Sequence, residues 1–300
     1  MKPPEFRSWD WPRRLFESRR PSTLPAPTVR PKRLMYEAHF GLTPRPFGDS
    51  TRADGLIALP SREAAARRVR YGLEHGEGAA LIFGPPGAGK TAVVRALASE
   101  MNAPTVHLTY PALPPAELLA SIADELHSPG VDRSHSGSLR RIRATLSANA
   151  LKGLRTLLVV DEVHLIADPD TFEALRLLTN FATNGPPDLM LLLAGGAEVM
   201  LNIPHGLLDR LTARALLGPF TKEESAAYVN GRLARAGAKF PLFDAEGLIA
   251  LHWAADGLPR RLNRIADLAL LIAYAEGLDR PDAEAIASAA REGSFEALAA

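Results

Sequence analysis

The chain has 300 residues, 46% of them hydrophobic, with 35 Lys/Arg against 34 Asp/Glu for a formal charge of +1. That is enough for one large core or two smaller ones, and the near-neutral total does not announce a nucleic-acid partner. The absence of cysteine excludes disulfides, zinc fingers and thiol catalysis and suits a reducing compartment; no apolar run approaches the ~20 residues that a membrane helix needs.

Residues 1–33 hold seven prolines and nine Lys/Arg against three Asp/Glu, which leaves the remainder mildly acidic at 26 against 31. So many prolines forbid a helix, and residues 1–34 read as a disordered basic tail. Its functional reading is a weak electrostatic anchor with Trp9, Trp11 and Phe16 as contacts. Its plainer reading is a solvated tail or a misplaced start, since Met35 opens the recognisable sequence. No secretory apolar region follows the early arginines, so a cytoplasmic protein is expected.

Residues 35–60 mix Tyr36, Phe40 and Phe47 with Gly and Pro, which suggests an ordered, irregular strap. Arg62 to about Leu73 has helical spacing and a basic outer face. Ala79–Phe83 is a short apolar run, as a buried parallel strand should be. Gly84-Pro85-Pro86-Gly87-Ala88-Gly89-Lys90-Thr91 then fits G-x-x-x-x-G-K-[ST], the phosphate-binding P-loop. Its glycines let backbone N–H groups approach a polyphosphate, Lys90 adds a positive charge and Thr91 a hydroxyl for Mg²⁺. The helix from Thr91 and Ala92 to about Met101 points its positive dipole end at the anion.

Thr105–Thr109 reads as a strand, Pro115–His127 and Leu139–Leu151 as helices, and Ser128–Ser138 as a polar loop. Thr156-Leu157-Leu158-Val159-Val160-Asp161-Glu162 is a strand ending in two acids, a Walker B pattern. If that strand lies beside the P-loop strand, Asp161 reaches the Mg²⁺ through water, and Glu162 orients or deprotonates the attacking water. His164 is expected behind the reacting groups or on the surface. Asp170–Ala182 is amphipathic, Leu189–Ala194 another strand, Leu207–Leu211 helical and Ala215–Leu217 extended. Five strands alternating with helices imply an α/β domain with a parallel sheet covered on both faces. After Gly218-Pro219-Phe220 the pattern turns helical, opening on the capping box Thr221-Lys222-Glu223-Glu224.

Together these residues resemble the AAA+ ATPases, specifically the ExeA-like group, over about residues 35–292. Beyond the two Walker motifs, the likeness rests on Tyr36, Phe40-Gly41-Leu42 and Pro46-Phe47. It also rests on Leu175–Asn180, on Leu193-Ala194-Gly195-Gly196-Ala197-Glu198, and on Gly257-Leu258-Pro259-Arg260-Arg261-Leu262-Asn263. The resemblance implies a P-loop NTPase of the AAA+ type in residues 35–220, a small all-helical lid in 221–292 and a tail from 293 to 300. It implies ATP and Mg²⁺ as ligands, Arg260 as the sensor 2 arginine reaching the γ-phosphate from the lid, and a subunit-interface arginine in Leu208–Arg214, with Arg210 preferred to Arg214. An arginine acting in trans makes the active form a homo-oligomer. Where the family usually reads Gly-Gln-Pro-Glu-Leu, this chain has Gly195-Gly196-Ala197-Glu198-Val199. Gly196 thus stands where a polar sensor 1 side chain is expected, and Asn180 or Glu198 is the candidate substitute.

Three functions follow. The first is an ATP-hydrolysing conformational switch acting on an unidentified protein client. The second is a DNA-associated regulator similar to the TniB- and TnsC-type transposition ATPases, supported by the Arg-rich tail and Arg67-Arg68-Val69-Arg70. The third is an ATP-binding scaffold with little hydrolysis, motivated by Gly196. No Asn-Lys-x-Asp guanine signature occurs, which favours ATP over GTP.

Overall fold

Five apolar runs form the strands: β1 (Ala79–Phe83), β2 (Thr105–Leu108), β3 (Thr156–Val160), β4 (Leu189–Gly195) and β5 (Leu211–Leu216). They pair in parallel in the order β2-β3-β4-β1-β5. This computed structural model describes residues 36–48, 56–76, 78–183 and 185–297; the basic tail read from the sequence lies outside them.

The two-residue period of a strand sorts its side chains onto two faces. Ala79, Leu81, Leu158 and Val160 pack beneath α4 (Pro115–Glu125), α5 (His135–Ala150) and α6 (Pro169–Leu178). Ala80, Ile82, Leu157 and Val159 pack against α2 (Pro60–His75) and α3 (Lys90–Glu100) on the opposite face. Covered on both sides, β3 and β4 are buried at every position, which is why they read as unbroken apolar runs.

β5 is an edge strand and alternates buried with exposed residues. Its outward Thr212 and Arg214 hid the strand from a search for apolar runs. The segment expected to be helical to Leu211 therefore stops sooner: α7 (Val199–Asn202) and α8 (His205–Leu208) precede a strand that already begins at Leu211. The Walker B strand also departs from expectation. β3 is not beside β1, because β4 lies between them.

Helices α9 (Lys222–Arg235), α10 (Ala245–Ala254), α11 (Pro259–Ala275) and α12 (Ala283–Ala297) bury a core of their own around Val229, Leu251, Leu262, Ala266 and Leu270. The capping box opens α9 as expected: Glu224 N–H donates to Thr221 Oγ1 over 3.2 Å, and Thr221 N–H donates to the Glu224 carboxylate over 3.3 Å. Two features differ from the sequence reading. Residues 293–297 are helical as the end of α12. The strap, which contains α1 (Tyr36–His39) and was grouped with the α/β domain, sends Tyr36, Phe40, Leu42, Phe47 and Leu59 into the helical core. Among the described residues no helix is long and apolar enough to cross a membrane.

Candidate functional site

The P-loop joins β1 to α3, and its geometry follows from its glycines. A Cβ on Gly84 would lie 2.3 Å from the Leu217 carbonyl oxygen, so only glycine fits where the loop passes the exit of β5. Gly89 caps α3 at φ 89°, left-handed backbone that side chains rarely adopt. The first residues of α3 are then Lys90 and Thr91, and the helix presents its unpaired N–H groups to the loop.

Lys90 is buried, and its Nζ donates to the carbonyls of Gly84 at 3.0 Å and Pro85 at 3.2 Å. Burial pushes its ammonium down from the usual range, while the carboxylates of Glu162, Asp161 and Glu198 pull it back. The Thr91 hydroxyl donates to Asp161 Oδ2 over 2.8 Å. The two Walker motifs therefore meet, although β4 separates their strands, because Thr91 reaches across from the first turn of α3.

Asp161 is buried and accepts the Glu162 N–H on Oδ1 at 2.9 Å. Burial pushes its carboxyl up; the nearby imidazole of His107, the Thr91 hydroxyl and the Glu162 N–H outweigh that and hold it below the usual carboxylate range. His107 Nε2 stands 3.8 Å from Asp161 Oδ2, beyond hydrogen-bond distance, so its effect is electrostatic. Glu162 has φ 53° and ψ 36°, left-handed backbone at a residue with a Cβ. Such a conformation costs on the order of 1 kcal/mol and is typical of functional sites.

A cleft of about 920 Å³ opens above the P-loop between the sheet and the helical unit. Pro86, Gly87, Gly89, Lys90, Thr91, Ala92, Glu162 and Arg260 all line it. Arg260, at the start of α11, touches the loop directly: its N–H donates to Gly87 O over 3.2 Å, and a Cβ on Gly87 would sit 3.0 Å from Arg260 Cβ. The oxygen pair of Thr91 and Asp161 suits a hard cation that keeps most of its ligands from phosphate and water. The buried ammonium beside it suits a polyphosphate. A second pocket of only about 40 Å³, lined by Ile57, Arg62, Ala92, Val93, Phe220 and Tyr228, adjoins Gly89.

Arg210 and Arg214 do not line the cleft. Arg210 immediately precedes β5, whose first residue Leu211 pairs with Ala79 at the end of β1 away from the P-loop, and Arg214 lies mid-strand opposite Leu81 on the exposed face of β5. The five residues of β1 span about 17 Å. Arg214 Nη2 donates to the Leu208 carbonyl over 2.7 Å. Asn180 also lies away from the cleft lining, whereas Glu198 is part of it.

The sequence reading missed Arg45 and Arg264 as cleft residues. Arg45 comes from the strap, and its Nε donates to Asp267 Oδ1 over 2.8 Å; no motif marks a lone arginine in an irregular segment. Arg264 lies one helical turn after Arg260, so the 3.6-residue period could have found it. Of the two places expected for His164, behind the reacting groups or on the surface, the structure has the first: it stands in the cleft wall beside Glu162.

Comparison with known proteins agrees with this geometry. The family described as AAA domain matches residues 73–200. General secretion pathway protein A of Aeromonas hydrophila is 37% identical over 251 residues, covering 81% of this chain and 46% of that protein. The chain thus spans about half the length of that relative. Among solved structures, Cdc6p of Pyrobaculum aerophilum superposes with a TM-score of 0.64 at 20% identity, covering 79% of this chain and 68% of that one. The ORC2 protein of Aeropyrum pernix in its ADPNP-ADP complexes gives 0.60 at 18% identity over 83% and 71%. The RuvB Holliday junction branch migration motor of Thermotoga maritima gives 0.56 at 18% identity over 81% and 72%. At these identities the structural likeness speaks for the fold alone.

Proposed function

Because the chain belongs to the AAA+ family of P-loop proteins, in the group similar to general secretion pathway protein A, we propose that it binds ATP with Mg²⁺ and hydrolyses it as an oligomeric conformational switch. The observation that carries this reading is the Thr91–Asp161 hydrogen bond of 2.8 Å, which joins the two Walker motifs at the floor of the cleft.

In this reading residues 84–92 cradle the phosphates, and Lys90 turns from its carbonyl partners to the β- and γ-phosphates. Thr91 and Asp161 hold the metal, which supplies positive charge to the phosphate oxygens. Glu162 accepts a proton from the attacking water. The water oxygen bonds to the γ-phosphorus as the bond to the β–γ bridging oxygen breaks, its electrons staying with ADP. Arg260 reports the γ-phosphate to the helical unit. We take residues 35–220 as the body and 221–292 as the lid; the core of α9–α12 supports the second of these, although the strap of residues 36–59 packs into that same core.

Arg210 lies too far from its own P-loop to act there, so any role as a finger is in trans and requires a second subunit. That placement supports the homo-oligomer, with an unidentified protein client. A cytoplasmic location fits the lack of cysteine. The DNA-associated reading stands as the alternative: on α2, Arg67 and Arg68 are exposed, and their contacts with Glu63 at 3.6 Å and with the Arg214 carbonyl at 3.5 Å are surface pairs of small energy.

Titration with a fluorescent ATP analogue tests the site. Lys90→Ala is expected to abolish binding, and Glu162→Gln to bind normally without turnover. Unchanged affinity in Lys90→Ala overturns the assignment. Binding without phosphate release in the unaltered protein leaves only the scaffold reading.

A further inference from the structure

Two carbonyls of the P-loop are held by donors from outside the loop. Gly87 O accepts the Arg260 N–H over 3.2 Å, and Ala88 O accepts Arg62 Nη2, also over 3.2 Å. Arg62 stands in the first turn of α2 and belongs to neither Walker motif. The second hydrogen of the same Nη2 goes to Gly218 O over 2.7 Å, and Nη1 donates to Ser61 Oγ over 3.2 Å. The guanidinium lies 4.4 Å from the centre of the Phe220 ring, and the residue is 4% exposed. Glu224, which accepts the Ser61 N–H at 2.9 Å, offsets part of the cost of burying that charge. The planar fork is therefore fixed on every side before it meets the loop.

The bond to Ala88 decides which way a peptide faces. The Ala88 carbonyl and the Gly89 N–H belong to one planar trans unit and point in opposite directions. Ala88 is fully buried, whereas Gly89 lines the cleft. With its carbonyl turned back to Arg62, this peptide turns the Gly89 N–H towards the cleft, where a phosphate oxygen accepts it. Gly89 has no Cβ and tolerates either orientation of the peptide, so the choice falls to a partner outside the loop. The bonds from Lys90 do not make it. They go to Gly84 O and Pro85 O, and are given up when the ammonium turns to the phosphates.

We propose that Arg62 is a positioning residue for the nucleotide: it holds the Ala88–Gly89 peptide with its N–H towards the phosphates, and is itself held by Gly218 O and the Phe220 ring. The inference rests on the ATP-binding reading above and adds to it a residue outside both Walker motifs.

Calorimetric titration of the full chain with ATP and with ADP in Mg²⁺, with the melting temperature measured without nucleotide, tests it. Arg62→Met, similar in length and without donors, is expected to weaken ATP and ADP alike by about tenfold or more, because the peptide faces phosphates that both carry. Arg62→Lys keeps the charge but not the fork, and should recover only part of the loss. Glu224→Gln disturbs the same end of α2 and leaves the bonds from Arg62 to the two carbonyls in place. It should melt lower, yet bind both nucleotides within about twofold of the unaltered protein. If Arg62→Met fails to fold, Arg62→Lys against Glu224→Gln carries the test. Affinity within about twofold of the unaltered protein in either Arg62 variant, a loss confined to ATP, or an equal loss in Glu224→Gln overturns the inference and leaves the ATP-binding reading standing. Failure of the unaltered protein to bind either nucleotide overturns both.

Discussion

Thr91 and Asp161 show how single residues are set by what surrounds them. One is the second residue of a helix and the other the first after a strand, and they meet because each element ends at the same edge of the sheet. Asp161→Asn keeps an oxygen acceptor for Thr91 but removes the charge that suits a cation. Its affinity for ATP in Mg²⁺ is expected to fall to the value measured in chelator, read by titration with and without the metal. Glu224 offers a second prediction. Burial raises its carboxyl, but the Ser61 N–H, the Thr221 N–H and Arg62 outweigh burial and hold it below the usual range. A carboxyl depressed in the folded state stabilises above its unfolded value of about 4.3, and that stability is lost as pH falls through the folded value. Glu224→Gln should therefore be less stable at neutral pH and lose stability less steeply between about pH 5 and pH 3 in urea titrations. The Walker residues were legible because their chemistry demands fixed spacing. Arg45 was not, since its partner Asp267 lies far along the chain, and the bond from Gly196 N–H to His164 likewise joins separate strands' ends.

The strap is the element whose role the sequence obscured. Its aromatics promised burial but not a destination, and their partners lie about 200 residues later in α9 and α11. Tyr36 donates to Asp267 on α11 and Arg45 pairs with the same carboxylate, so the strap is tied as well as packed. Phe40→Ala is expected to destabilise the helical unit by about 3–5 kcal/mol. Urea unfolding followed by Trp253, which sits on α10, in a chain with Trp9 and Trp11 changed to Phe reads that unit. A change below about 1 kcal/mol would show that the strap contributes little to it. β5 taught a different lesson. An edge strand needs apolar residues on one face only, so its outward Thr212 and Arg214 disguised it.

At the scale of the whole molecule, three packed clusters divide the labour: two on the faces of the sheet and one in the helices with the strap. Arg62 stands between the helical cluster and the sheet cluster that contains Ala88. It is buried, donates to Ala88 O at 3.2 Å and Gly218 O at 2.7 Å, and lies 4.4 Å from the centre of the Phe220 ring. A P-loop carbonyl and the entrance to the helical unit thus share one guanidinium, and movement of either is felt by the other. If ATP turns the helices against the sheet, assembly should follow. Light scattering is expected to give a larger mass with ATP and Mg²⁺ than without. Arg210→Ala should bind ATP and lose turnover, and mixing it with Lys90→Ala, which supplies the arginine but no nucleotide site, should restore part of it. Failure of that mixture to regain activity would remove Arg210 from the interface.

The sequence by itself determined the nucleotide-binding loop, the acidic strand end, the five-stranded α/β plan and the helical segment after Phe220. These are local: a glycine spacing, a two-residue or 3.6-residue period and a capping box are properties of neighbours in the chain. Only the tertiary structure decided that β4 separates β1 from β3, that the strap belongs to the helical core, and that Glu198 occupies the space above Gly196. Each of these joins residues far apart in sequence, and closing such contacts depends on how whole elements pack, which no local pattern encodes.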